Sequence, residues 1–322
     1  MPRRIPASNI ASLRIAGFPL KNIIGSICAL ATPFRAEALD LAAFGVLIDY
    51  QLAAGTQGLV VAGSTGEAHA LDQAEYDRLL AFAVERVAGR VPVLAGTGGA
   101  NTNKTIHATR RALSLGAHAA LVVTPYYVRP TQDGLVRHFT AVAEEGGLPV
   151  VLYNVPSRTA CDMLPETVAA LAGHERIVGI KEACSDAERI AAVIALKTPR
   201  FAVLSGDDPT CARAMLSGAD GVISVAANVA PAALRAICDA ARGGDAAAAH
   251  AGDAELVDLY TVLGLEPNPI PLKWCLHRLG IGAADVRLPL LPLSSGHHER
   301  VQRVLDRLQL PAAVQQWHSS AA

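Results

Sequence analysis

Lys181 closes the run Ile177-Val178-Gly179-Ile180, four residues that read as a buried strand, although lysine is among the side chains least often buried. Two readings are open. The amine can neutralise a buried carboxylate, or snorkel to a rim along its own methylenes. Alternatively, desolvation keeps it partly neutral, so that it can attack a carbonyl carbon and form a Schiff base. Two tyrosines, Tyr127 and Tyr153, favour the second reading. Phenols can carry the protons that carbinolamine formation and dehydration require, and the Ser64 hydroxyl can link two phenols into a relay. Either tyrosine taken alone reads more simply as core packing.

Other segments add polar groups with weaker signals. "AGSTGEA" (62–68) brings glycines for a tight turn and presents N–H groups and the Ser64 and Thr65 hydroxyls to an anion such as a small carboxylate. An ordinary strand-to-helix turn capped by Ser or Thr is the alternative. "AGTGGANT" (95–102) lacks the lysine of a phosphate-binding loop and reads as structural. Arg158, five residues past Tyr153, can take a carboxylate through a bidentate contact, or be a surface arginine. No histidine spacing, including His69 and the pair His297–His298, suggests a metal, and the two aspartates of "SGDD" read as loop hydrogen-bonding groups.

The elements that must position these groups follow from the hydrophobic pattern. Eight apolar runs recur: "GSICALATP", "GLVVAG", "VPVLAGTG", "AALVVTPYY", "PVVLYNVP", "RIVGIKEA", "FAVLSGDD" and "DGVISVAAN". Between them lie segments with apolar residues at three- and four-residue steps, several ending in Gly. Continuous apolar strands alternating with amphipathic helices imply a parallel sheet buried on both faces, and eight units imply an α/β fold of the (β/α)8 (TIM) barrel type. The first strand runs into "ALATPF" without the GxGxxG of a doubly wound fold. Residues 244–312, with three helical patterns and no strand signal, read as a C-terminal helical appendage to a barrel spanning 23–243. Residues 313–322 read as a tail, and 1–22 as a poorly ordered extension or an early start codon. In such barrels the chemistry sits at the C-terminal ends of the strands, where Ser64, Thr65, Tyr126, Tyr127, Tyr153 and Lys181 all fall.

Composition narrows the partners. A net charge of -1 argues against nucleic acid, no apolar run is long enough to span a membrane, and the six cysteines show no paired spacing. The expectation is a cytoplasmic protein acting on small molecules.

In this order, "GSTGEA", "VTPYYVRPTQDGL", "LYNVPSRTACDMLPETV", "GIKEA", "LSGDD", "GVISVAANVAP" and "EPNPIPLKW" resemble the dihydrodipicolinate synthase family of pyruvate-dependent class I aldolases, over about residues 23 to 310. The resemblance implies an imine between Lys181 and pyruvate, with Tyr153 as acid/base. Ser64 and Tyr127 would complete the proton relay, and Thr65, Gly206 and Ile223 would bind substrate. Arg158 would hold the carboxylate of aspartate 4-semialdehyde. It implies no metal or organic cofactor, and a homotetramer of two tight dimers in which Tyr126 completes a neighbouring subunit's site.

Four positions depart from the family's lysine-feedback site: Lys104 stands where an acidic residue holds the effector's amino group, Ala100 replaces Asn, and Ala68 and His69 replace small polar residues. A cation facing a cationic effector repels it, so feedback by lysine is expected to be weak or absent. Ser64 stands where Thr is usual, and Val128 where Asn is frequent. The same-class alternative is an aldolase or hydrolyase acting on a sugar acid, of the N-acetylneuraminate lyase type, although such enzymes generally lack an arginine at the place of Arg158. A catalytically silent barrel serving as a binding protein predicts loss of Lys181 or the tyrosines, and none is lost.

Overall fold

The computed structural model describes residues 23–308 and 310, so the extension 1–22 and the tail 313–322 considered above lie outside the described residues. All eight apolar runs form strands. The first is β1 (Gly25–Ala29), followed by a small antiparallel hairpin, β2 (Phe34–Arg35) and β3 (Ala38–Leu39). Then come β4 (Gly58–Val61), β5 (Val93–Gly96), β6 (Ala119–Val123), β7 (Val150–Asn154), β8 (Ile177–Glu182), β9 (Ala202–Ser205) and β10 (Gly221–Ser224). The barrel strands pair in parallel with their sequence neighbours, and β10 pairs back onto β1 to close the ring.

Closure divides the apolar residues between two cores. Val60 of β4 points into the barrel with Ile27, Leu94, Leu121, Val151, Leu204 and Ile223. Its neighbours Leu59 and Val61 point outward, into the outer core that includes helical residues such as Phe44 and Leu80. Both faces of the strands are therefore largely apolar, which is why the strands read as near-continuous apolar runs. Each fully buried large aliphatic side chain contributes about 1.5–3 kcal/mol.

The connecting helices are α1 (Leu41–Ala53), α2 (Gln73–Val87), α3 (Thr102–Ser114), α4 (Gln132–Gly146), the short α5 (Pro156–Thr159), α6 (Pro165–Ala172), α7 (Ala187–Ile194), α8 (Cys211–Leu216) and α9 (Pro231–Arg242). Local chemistry sets several starts. Asp72 and Glu75 form a capping box on α2, each side chain bonding the other's backbone N–H (2.8 and 3.1 Å). Asn101, Thr131 and Asp186 cap α3, α4 and α7 through their side-chain oxygens.

Beyond α9 the three expected helical patterns are α10 (Ala246–Leu263), α11 (Ile270–Arg278) and α12 (Ser295–Arg307). A buried ion pair fastens this region to the barrel. Lys273 of α11 lies 2.5 Å from Glu67 in the loop after β4, with side-chain exposures of 2% and 0%. The other Glu67 oxygen accepts the Arg287 backbone N–H at 3.1 Å. Both cationic groups also lie 4.1 Å from the Phe34 ring centre, where the ring's quadrupole favours them. Burial pushes the Lys273 amine below its ordinary pKa, and Glu67 opposes that.

Lys273→Met leaves the Glu67 carboxylate buried without its counter-charge and should cost about 3–5 kcal/mol in denaturant unfolding. The double variant Glu67→Gln/Lys273→Met should be less destabilised than Lys273→Met alone. His138 on α4 is buried, with Nδ1 3.0 Å from the Thr102 hydroxyl and Nε2 unpartnered among the described residues. Burial pushes its pKa from 6.5 down to about 4. Between those values the unfolded chain binds a proton that the folded chain refuses, so this contribution is present above pH 6.5 and is lost as pH falls toward 4. His138→Gln should flatten that part of the melting-temperature profile.

Candidate functional site at the C-terminal mouth

Strand register decides where Lys181 points. Val150 of β7 pairs with Ile177, but Val151 pairs with Gly179, so β8 carries one extra residue at Val178. Val178 packs in the barrel interior and Ile180, two residues on, packs outside, a reversal that unbroken alternation forbids. The irregularity leaves Lys181 paired with Tyr153, a member of the inner core. The Lys181 nitrogen lies 4.3 Å from the Tyr153 ring centre, and the lysine is only 5% exposed.

Lys181 takes part in none of the ion pairs among the described residues. The buried carboxylates have other partners. Glu182 faces the outside of β8, where it accepts from Asn154 Nδ2 (3.1 and 3.2 Å), Arg189 Nε (3.2 Å) and the Cys184 N–H (3.0 Å). Glu67 has Lys273. At longer range Lys181 faces Asp208, whose carboxyl is pushed up by burial and held down by bonds from Ser224 and the N–H groups of Val225 and Ala226, and by the lysine charge. The arrangement is therefore not that of a structural counter-ion.

Gly206 gives the lysine its space. A Cβ there would fall 2.9 Å from Lys181 Cε and 3.0 Å from Cγ, closer than real contacts allow. Its N–H bonds the Glu182 carbonyl at 2.7 Å, continuing the β8–β9 ladder past the end of β9. Ile223 is fully buried in the inner core.

The loop after β4 carries Ser64 and Thr65. Ala62 and Glu67 adopt positive φ (53° and 50°), folding the loop tightly over the strand end, and Gly96 of β5 admits it: a Cβ there would lie 2.0 Å from the Ala62 carbonyl oxygen. Thr65 is buried, and its hydroxyl accepts a hydrogen bond from Asn268 Nδ2 at 3.0 Å. A cavity of about 360 Å³ opens beside this loop, its lining including Ser64, Tyr126, Tyr153, Arg158 and Asn268. Arg158 lies on α5, and its Nη2 is 3.4 Å from the Asn268 carbonyl oxygen.

Within one chain the two adjacent tyrosines are placed differently: Tyr127 is 89% exposed, while Tyr126 is 46% exposed and lines the cavity. The cause is backbone geometry. Val128 N–H bonds the Tyr126 carbonyl at 2.8 Å across Tyr127 at φ 73°, a strained γ-turn that points the second ring away from the first. The Tyr127 N–H is tied to the Thr159 carbonyl beside Arg158 at 3.3 Å.

Sequence reasoning gave no role to Asn268, Glu67 or Lys273. The signals were the Asn-Pro pair and the lone lysine of "EPNPIPLKW", whose Asn268 and Lys273 side chains bond residues about two hundred positions away. No group of three His, Cys, Asp or Glu side chains among the described residues could hold a metal, and no described helix is long and apolar enough to cross a membrane.

A model of the dihydrodipicolinate synthetase family matches residues 22–308. The chain is 62% identical over 293 residues to the 4-hydroxy-tetrahydrodipicolinate synthase of Xanthomonas axonopodis pv. citri, covering 90% of this chain and 97% of that one. It is 58% identical to the enzyme of the same name from Xylella fastidiosa, covering 89% and 95%. The solved structure of a chloride-inhibited dihydrodipicolinate synthase from Acinetobacter baumannii, complexed with pyruvate, is similar with a TM-score of 0.87 at 41% identity, covering 88% and 98%. With a barrel of this topology and a family match across its whole described length, the chain belongs to the dihydrodipicolinate synthetase family.

Proposed function

We propose that the chain condenses pyruvate with L-aspartate 4-semialdehyde to 4-hydroxy-tetrahydrodipicolinate, the step that leads toward diaminopimelate and lysine. The observation that carries the reading is a buried Lys181 that takes part in none of the ion pairs among the described residues and packs against the ring of Tyr153. The Lys181 amine attacks the keto carbon of pyruvate, and loss of water leaves an imine. Tyr153 and Ser64 move the protons of that exchange. Thr65 holds the pyruvate carboxylate through its hydroxyl and backbone N–H. Loss of a methyl proton gives the enamine, whose carbon attacks the aldehyde of the second substrate. The substrate's own amine then adds to the imine carbon, closing the ring and releasing Lys181. Arg158, facing the cavity, takes the carboxylate of the aldehyde. The electron sink is the protonated imine itself, so the scheme calls for no metal or organic cofactor.

Arg158 favours this acceptor over a sugar acid, and the names of the relatives point the same way. A homotetramer of two dimers fits the exposed tip of Tyr127 and Val128, which offers a neighbouring copy an aromatic and an apolar residue on a strained, anchored turn. On this reading Tyr127, rather than Tyr126, is the residue shared between copies.

The expected lack of lysine feedback also has support. A second cavity, of about 690 Å³, is lined by Lys104, His107 and Arg111 together with Ala100 and Tyr126. Arg111 is paired with Asp77, and no carboxylate pairs with Lys104 among the described residues. His69 and Ala68 line the catalytic cavity instead.

Pyruvate followed by borohydride should label Lys181 irreversibly, and the unlabelled enzyme should condense pyruvate with aspartate 4-semialdehyde while leaving sugar acids uncleaved. Absence of an adduct rejects imine chemistry altogether, and an adduct without condensation leaves the sugar-acid reading. In initial-rate titrations L-lysine should not reach half-inhibition below the millimolar range, and sub-millimolar inhibition would contradict the repulsion argued from Lys104.

A further inference from the structure

We infer that Asn268 is a positioning residue that sets the polarity of the Thr65 hydroxyl and holds Arg158 beside it, so that the two carboxylate-binding groups of the mouth act as one unit. The inference rests on the function proposed above. Asn268 lies in the segment between α10 and α11, 203 positions from Thr65 in sequence, and its Nδ2 is 3.0 Å from the Thr65 hydroxyl oxygen. Its main-chain carbonyl oxygen is the acceptor 3.4 Å from Arg158 Nη2. The segment cannot drift, because Lys273 one turn further on is locked onto Glu67, two residues past Thr65.

The hydrogen-bond polarity gives this contact a consequence. An amide N–H can only donate, so the Thr65 oxygen must accept, and the single proton of the hydroxyl is left for another acceptor. A carboxylate is acceptor-only, and so matches that proton. Turned over, the amide would consume the Thr65 proton and leave the hydroxyl presenting lone pairs to an anion. Asn268 Oδ1 is buried without a partner among the described residues, a destabilising condition that a simple loop closure would not require. The other half of the same residue therefore has a role that outweighs it.

Three variants test this by separate readouts: Asn268→Ala, Asn268→Asp and Thr65→Val, with the double variant Asn268→Ala/Thr65→Val. Asn268→Ala removes the amide but keeps the main-chain carbonyl that Arg158 reaches, so it should raise the KM for pyruvate about tenfold, with smaller changes in kcat and in the KM for aspartate 4-semialdehyde, as expected for loss of a bond supporting a charged ligand. Asn268→Asp keeps the shape but can only accept. It should take the Thr65 proton, add a negative charge between two carboxylate sites, and weaken pyruvate binding more than the alanine does. In the Thr65→Val background, Asn268→Ala should add nothing to the pyruvate KM, because the hydroxyl it orients is gone. An unchanged pyruvate KM in Asn268→Ala, a well-tolerated Asn268→Asp, or strict additivity with Thr65→Val each overturn the assignment. Melting temperatures near that of the parent enzyme confirm folding, and the aspartate, being isosteric, keeps the test valid if the alanine variant unfolds. If the parent enzyme forms no borohydride adduct with pyruvate, the proposed function falls. If it does and the variants keep their KM values, only the role of Asn268 falls.

Discussion

The structure depends on one constraint, that a closed ring of parallel strands has an inside and an outside and every strand residue must face one of them. Apolar residues satisfy both faces, as Val60 does within and Leu59 and Val61 do without. A lysine on such a strand has no neutral position. Facing outward it would meet the helical layer, while facing inward near the C-terminal end it meets the mouth. One extra residue in β8 turns Lys181 inward and places it beside Tyr153. The same shift leaves Glu182 facing outward, where Asn154 and Arg189 satisfy it. Two adjacent ionisable residues are thus separated, one toward the mouth and one into the helical layer, by strand geometry.

A second layer of organisation comes from the C-terminal helices, which act as part of the site. The Glu67–Lys273 pair joins α11 to the loop that carries Ser64 and Thr65, and Asn268 bonds Thr65 directly. A barrel ending at α9 would lack both contacts. Buried ion pairs are weak sources of net stability, because desolvating two charges offsets most of their attraction. Their value here is geometric: a charge with one acceptable partner fixes one docking arrangement of the helical region on the mouth.

The barrel architecture was legible because its signal is local and repeated. Eight apolar runs separated by amphipathic segments admit few other folds, and the three C-terminal helical patterns have their counterparts in α10, α11 and α12. Lys181 was conspicuous because it breaks the rule its strand otherwise obeys. The different exposure of Tyr126 and Tyr127 was not legible, since it turns on a γ-turn in a segment with no sequence mark beyond two identical side chains. Asn268 was equally hidden, because its partner lies on the far side of the barrel sequence.

By itself, then, the sequence determined the strand count, the order of the elements and the set of polar residues at the strand ends, because hydrophobic periodicity and turn chemistry act over a few neighbouring residues. Only the tertiary structure decided which way Lys181 faces, which of the two adjacent tyrosines lines the cavity at the mouth and which amide bonds Thr65. Those outcomes depend on register and on contacts between segments up to two hundred residues apart, where a shift of one position exchanges the two faces of a strand.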